Sequence, residues 1–188
     1  MKRKTVIIAC ISLLLVFAFC SVFVINFVKK QLYPREFTEY VEQYSNEFSV
    51  PEELVYAVIY CESSFDPEVK SPVGAIGLMQ LMPATLDWLS GLLDEECLSG
   101  EITDPETNIK YGTFYLSYLY EKFGSWETAL AAYNAGHGRV ATWLEDSEYS
   151  DDGITLKYIP FEETRNYVNR VLSAKEEYYL LYYKNGEK

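Results

Sequence analysis

Histidine is almost missing from this chain: His137 is the single one among 188 residues. The four cysteines, Cys10, Cys20, Cys61 and Cys97, include no C-x-x-C pair. A zinc centre needs clustered Cys or His ligands and a thiol nucleophile needs a base beside it, so neither chemistry organises this protein. No metal and no organic cofactor is expected. Basic charge is scarce too. Setting aside Lys2, Arg3 and Lys4, the remaining 13 basic residues face 28 acidic ones, a balance of −15. Nucleic acid is excluded as a partner, because its phosphates need a cationic footprint; adhesion to an anionic lipid surface is disfavoured for the same reason. There is no internal repeat, no low-complexity tract and no strand-length alternating run, so the chain reads as mainly α. Its length allows one domain plus an appendage.

The appendage is N-terminal. Thr5 to Val28 is a run of about 24 residues without a charge, long enough at about 1.5 Å rise per residue to span a bilayer core. A cleaved signal peptide would show a shorter apolar run and a small-x-small site. Here Phe17 and Phe19 interrupt the small residues around Ala18-Phe19-Cys20-Ser21. The expectation is an uncleaved anchor over 5–28 behind a short tail over 1–4, then a tether over 29–40 and a domain over 41–184. Lys29, Lys30 and Arg35 flank the far end of the apolar run, so charge alone leaves its orientation open. Cys61 and Cys97 have two readings: a disulfide outside the cytoplasm, or simple packing of Cys61 on a core helix.

What is present concentrates in Leu54 to Pro83. Ser49-Val50-Pro51-Glu52 reads as a capping box with proline in the first turn. Leu54, Val58 and Glu62 then fall on one helical face. Glu62 thus occupies a position that the pattern assigns to the interior, at a helix end whose partial negative charge disfavours a carboxylate. Burial and the dipole both raise its pKa, which suits a general acid. The plain alternative is a glutamate turned to water as the helix frays. Ser63-Ser64-Phe65-Asp66-Pro67 ends this helix. The return through Gly74 and Gly77 permits positive φ or close backbone approach, with a small hairpin possible over 73–81. Pro83 suits the first turn of the next helix. Further helices are expected over 37–48, 84–93, from Asp104-Pro105 to about 123, from Trp126 to about 133, around Val140 to Leu144, and from Pro160 to about 183. The acidic stretch over 145–153 reads as a mobile surface loop.

The segment Glu-Ser-Ser-Phe-Asp-Pro, followed by Ser-Pro-Val-Gly-Ala-Ile-Gly-Leu-Met-Gln-Leu-Met-Pro, resembles the catalytic domain of the soluble lytic transglycosylases, relatives of goose-type lysozyme. Three later blocks match in the same order: Asp104-Pro105-Glu106-Thr107-Asn108-Ile109 with Gly112, Ala132-Tyr133-Asn134-Ala135-Gly136, and Ile159-Pro160-Phe161-Glu162-Glu163-Thr164-Arg165 with Tyr167-Val168. The likeness covers about residues 41–180. It implies a lysozyme-like helical domain with at most a small β-hairpin, here preceded by one N-terminal transmembrane helix.

The resemblance also implies a chemistry. Glu62 protonates the oxygen between N-acetylmuramic acid and N-acetylglucosamine, the substrate's own N-acetyl group stabilises the cationic centre, and the muramyl C6 hydroxyl closes on C1. Ser71, Gln80, Met82 and Tyr133 line the groove or position Glu62, Asn134 orients nearby polar groups, and Glu163 supports. Read from the residues alone, Tyr133-Asn134-Ala135-Gly136 is equally a helix C-cap, Gln80 a surface amide, Met82 a core side chain and His137 a turn residue. Most glycosidases pair two carboxylates; Asp66, Asp87, Asp104, Glu162 and Glu163 are the candidates for a second, and none has a spacing that requires it to face Glu62. The expected partners are peptidoglycan glycan strands and the membrane, with the domain outside the cytoplasm; no protein partner is implied. Two rivals remain, a hydrolytic muramidase on the same fold and a catalytically silent wall-binding module.

Overall fold

Local chemistry sets most of the helix ends. A computed structural model describes residues 2–95 and 99–184, with side chains over 13–95 and 100–184. Helix α1 spans Lys2–Leu32, α2 Thr38–Phe48, α3 Glu52–Ser63, α4 Pro83–Leu92, α5 Pro105–Phe123, α6 Trp126–Ala135, α7 His137–Glu145 and α8 Glu162–Tyr178. A 3-10 turn covers Ser99–Glu101, and α8 continues as a π turn over Tyr179–Tyr183. Pro83 and Pro105 sit in the first turns of α4 and α5, where a missing N–H costs nothing. The Asp104 carboxylate accepts from Thr107 N at 2.9 Å, and Gly124 closes α5 at φ 67°, the left-handed end that glycine favours.

Helix α3 is the axis of the domain. Leu54, Val55, Tyr56, Ala57, Val58 and Ile59 are all 0% exposed, so this helix is buried all round rather than on one stripe. It packs on α8 and α2, while α5 packs on α2, α6 and α4, and α6 on α7 and α8. Each of its large apolar side chains contributes about 1.5–3 kcal/mol by leaving water. No sheet forms among the described residues. The return after α3 makes two isolated antiparallel bridges, Lys70 with Ile76 and Ile76 with Leu81, in place of a regular hairpin.

Four expectations change. Ser49 does not cap α3: it ends α2 in the left-handed region at φ 57°, and Pro51 takes the N-cap position without a side-chain bond. The N–H groups of Ser49 and Val50 both donate to Ser45 O, so the Ser is consumed by the turn out of the previous helix. The segment read as a tether from Lys29 is helical to Leu32 and is docked. Lys29 pairs with Glu177 at 2.6 Å, the Tyr178 hydroxyl donates to Pro34 O at 2.9 Å, and the Tyr182 hydroxyl donates to Tyr33 O at 2.8 Å. Helix α8 starts after Phe161, not at Pro160. The acidic stretch after α7 is a hydrogen-bonded turn in which the Asp152 carboxylate accepts from Ile154 N and Thr155 N at 2.8 and 2.7 Å. Cys61 carries a free thiol, and Cys97 lies outside the described residues. The stretch Leu13–Leu32 is long and apolar enough to cross a membrane, with mean hydropathy 2.0 and none of it buried.

Candidate active site

Glu62 occupies the last turn of α3, half-buried. The helix stops at once behind it, because Ser64 and Phe65 both adopt left-handed φ, 52° and 68°. Ser63 Oγ donates to Ile59 O at 3.1 Å and accepts from Phe65 N at 3.1 Å, which holds that end without help from Glu62. Burial pushes the Glu62 carboxyl up to about 7; the Tyr167 hydroxyl and the Arg170 charge pull the other way. Each effect has a plain cause: a desolvated carboxylate loses hydration, and a donor or a cation favours the ionised form. No second carboxylate of the described residues contributes to this balance. Asp66 accepts from Glu68 N at 2.9 Å and Asp104 caps α5, so two of the five candidates serve local turns.

Two tyrosines close in on Glu62. Tyr133, at the end of α6, donates its hydroxyl to Met79 O at 2.8 Å. Desolvation and the nearby Glu62 charge hold its own pKa well above the ordinary phenol value. Tyr167 on α8 is 2% exposed and feels the Glu62 charge in the same way. Its hydroxyl is near enough to lower the Glu62 pKa, yet strict hydrogen-bond geometry leaves it without a partner. A buried hydroxyl in that state has a donor available to whatever forms at the carboxyl.

The loop over 69–82 is held by one buried side chain. Asn108, 0% exposed, accepts from Met79 N at 2.7 Å and donates to Ile76 O and Ile102 O at 3.0 and 2.7 Å. Gly77 has φ 83°, and an added Cβ would meet the Asn108 amide; Met79 lies against Gly112 in the same way. The Asp-Pro-Glu-Thr-Asn block and Gly112 therefore build the loop's seat. Gln80 sits at φ 49° and donates its amide to Val69 O and Gly77 O at 3.0 and 2.9 Å. Its nitrogen is spent on the loop, so it is no simple surface amide, and its Oε1 accepts no hydrogen bond from the described residues. Ser71 Oγ accepts from Ala75 N at 2.9 Å, which leaves its hydroxyl hydrogen to donate. Met82 is 40% exposed at the N-cap of α4, which excludes the core reading.

Asn134 is exposed on the last turn of α6, and among the described residues its side chain makes no hydrogen bond; the structure does not join it to Glu62. Glu163 is exposed in the first turn of α8, one helical turn before Tyr167. His137 is not a mere turn residue: it opens α7 and stacks on Trp88 with ring centroids 5.4 Å apart. Burial and Lys122 lower its pKa, which favours the neutral ring. Tyr167 and Arg170 are neighbours of Glu62 that the sequence reading assigned no role. Their signal was the spacing 163, 167, 170, which puts three polar side chains along one side of α8.

Residues 39–154 match the model of a family described as the transglycosylase SLT domain. The soluble lytic murein transglycosylase of Escherichia coli K12 is 42% identical over 154 residues, which cover 80% of this chain and 24% of that protein. The membrane-bound lytic murein transglycosylase C of Yersinia pestis is 30% identical over 188 aligned residues, covering 82% of this chain and 52% of that protein. Among solved structures, an inactive glutamate-to-glutamine mutant of the lytic transglycosylase Slt from Pseudomonas aeruginosa superposes with a TM-score of 0.72 at 33% identity, over 82% of this chain and 25% of that one. The chain thus spans about a quarter of the length of the soluble relatives it matches.

Proposed function

Because this chain belongs to the transglycosylase SLT domain family, we propose that it is a membrane-anchored lytic transglycosylase of peptidoglycan. It cleaves the bond between N-acetylmuramic acid and N-acetylglucosamine without water. One observation carries the reading: Glu62 is a lone carboxyl with a pKa raised to about 7, between the tyrosines of α6 and α8. At neutral pH about half of such groups hold a proton, the state a general acid needs, and the other half can accept one.

The steps balance on that single group. Glu62 delivers its proton to the bridging oxygen, and the muramyl C1–O bond breaks. The substrate's N-acetyl oxygen shields the positive charge at C1. Glu62, now a carboxylate, takes the proton of the C6 hydroxyl as that oxygen bonds to C1, which leaves a 1,6-anhydromuramyl end and restores the acid. Tyr167 donates toward the carboxylate formed midway and Arg170 opposes its charge, so both favour the ionised stage. Ser71, through its free hydroxyl hydrogen, and Gln80, through Oε1, are the polar groups of the loop that meet the sugar; Met82 offers an apolar edge. Tyr133 holds that loop in place through Met79 O. Asn134 and Glu163, both exposed, are assigned supporting contacts to the glycan by this reading alone. The hydrolytic rival needs a second carboxylate to activate water, and two of the five candidates, Asp66 and Asp104, are engaged in local turns.

The apolar stretch Leu13–Leu32 and the membrane-bound relative support a single-pass anchor with the domain outside. Mass spectrometry of purified wall digested by the full chain tests the reaction: fragments lacking one water support it, and fully hydrated reducing ends overturn it. Carbonate extraction tests the anchor: retention in the membrane pellet supports it, and release overturns it.

A further inference from the structure

Helix α1 and the last turn of α8 meet where the apolar run ends. Lys29 and Lys30 are the first charges after that run, and lysines so placed mark the level at which a spanning helix leaves hydrocarbon for headgroups. Both are tied to the end of α8. Lys29 pairs with Glu177 at 2.6 Å, and Lys30 Nζ lies over the Tyr182 ring, 5.3 Å from its centroid. Tyr179 and Leu180 fall between those two contacts in the chain, so the π turn that carries them is held at the depth of Lys29 and Lys30. Its side chains divide into two sets. The hydroxyls of Tyr178, Tyr182 and Tyr183 donate to Pro34 O, Tyr33 O and the Glu52 carboxylate, so these three hold the turn to the domain. Tyr179 and Leu180 are 43% and 39% exposed.

We propose that Tyr179 and Leu180 form a second membrane contact, a foot on which the domain rests in the interfacial layer of the bilayer beside α1. The assignment rests on the anchor reading above and adds a lipid-facing surface outside the spanning helix. Composition supports it. At headgroup level a tyrosine ring leaves water while its hydroxyl stays wet, and Leu180 adds an apolar side chain that the protein covers only in part. Charge does not supply the attraction. Lys29 is paired with Glu177, Arg35 lies 3.7 and 3.8 Å from Glu42 and Glu52, and the whole chain carries −12. The contact is therefore with the neutral interface of a bilayer and not with anionic headgroups. Seating also fixes the height of the site. Tyr33 follows Lys29 by four residues, about 6 Å at helical rise, and its ring centroid lies 5.1 Å from that of Tyr60. Tyr60 precedes Glu62 by two residues in α3. The acid end of α3 is thereby held beside the bilayer surface, where it meets glycan strands that lie close to the membrane.

The test uses the full chain in phosphatidylcholine nanodiscs. The photoreactive amino acid p-benzoylphenylalanine replaces Leu180 in one variant and Tyr158, 49% exposed and outside the foot, in another. After irradiation, mass spectrometry should find lipid adducts at position 180 in several-fold excess over position 158. The yield should not change when phosphatidylglycerol or salt is added. Tyr179→Trp is the gentler variant: phosphatidylcholine brominated near the head of its acyl chains should quench its emission beyond any loss from Trp88, Trp126 and Trp143 in the unmodified chain. A circular dichroism spectrum equal to that of the unmodified chain shows that each variant is folded. Equal lipid yields at both positions, adducts with a second copy of the chain in place of lipid, or adducts only with phosphatidylglycerol would each overturn the foot. A chain that resists carbonate extraction, yet gives neither adduct at 180 nor added quenching in Tyr179→Trp, overturns the foot alone. Release of the unmodified chain by carbonate overturns the anchor and the foot with it.

Discussion

Helix α3 carries a glutamate at each end, and the two have opposite fates. Glu52 stands in the first turn, where the helix dipole favours a negative charge. It accepts from the Tyr183 hydroxyl at 2.9 Å and lies 3.8 Å from Arg35. Arg35 in turn sits over the rings of Tyr56, Tyr182 and Tyr183 at 5.3–5.4 Å. Glu62 stands in the last turn, where the dipole opposes it, and it has no ion pair at contact distance among the described residues. One end of the helix gives its carboxylate partners; the other withholds them and raises the pKa to about 7. The same side chain is a strut in the first setting and a proton carrier in the second. Position on the helix and the residues of α8 decide which.

Glu62→Gln breaks the comparison most severely. It should lower the rate of wall lysis by at least about 10³-fold, the scale of a lost general acid, while binding to wall persists. It should also stabilise the fold at neutral pH. The folded Glu62 pKa lies above the ordinary 4.5, so the native state binds more protons than the unfolded one between about 4.5 and 7. Native stability therefore falls as pH rises through that window. Thermal melts should show the Gln variant gaining on the unmodified protein across the same window, by about 2 kcal/mol after allowance for partial exposure.

Asn108→Ala attacks the loop that faces Glu62 and should cost about 3 kcal/mol by denaturant titration. It strands Met79 N and Ile102 O, since Ile76 O keeps its bond from Leu81 N, and each buried unpaired group costs about 1–3 kcal/mol. Tyr167→Phe removes the one hydroxyl that favours the Glu62 carboxylate. The alkaline limb of kcat/KM should then move to higher pH, with a rate loss of roughly tenfold for one charge-assisted bond. Glu52→Gln is the quiet control at the other end of the helix: about 1 kcal/mol of stability and no movement of the alkaline limb.

The parts of this architecture that were legible in sequence are those decided within a few residues. Pro83, Asp104-Pro105 and Gly124 mark helix ends by their own backbone chemistry, and Leu54, Val58 and Glu62 share a face by simple spacing. The matched blocks singled out Glu62, Ser71, Gln80, Met82, Tyr133, Asn134 and Glu163; of these the structure ties Tyr133 and Gln80 to the loop over 69–82 and leaves Asn134 and Glu163 exposed. What escaped depends on groups far apart in the chain. Ser49 fits a helix start and a helix end equally well, and the reversal from α2 to α3 chose the end. Gln80 looked free because its acceptors, Val69 O and Gly77 O, exist only once the loop is folded. Tyr167 acts through a carboxyl on another helix, a pairing that no local pattern encodes. The docking of Lys29 to Arg35 on the tyrosines of α8 was hidden for the same reason.

Acid catalysis here depends on the carboxyl at the far end of α3 keeping its proton near neutrality. Carbon-13 NMR of the full chain in micelles, labelled at glutamate side-chain carbonyls and assigned by difference from Glu62→Gln, measures this directly. One glutamate should titrate with a midpoint near 7, in line with a pKa of about 7 for Glu62. A Glu62 signal with its midpoint at the ordinary 4.5 would contradict it.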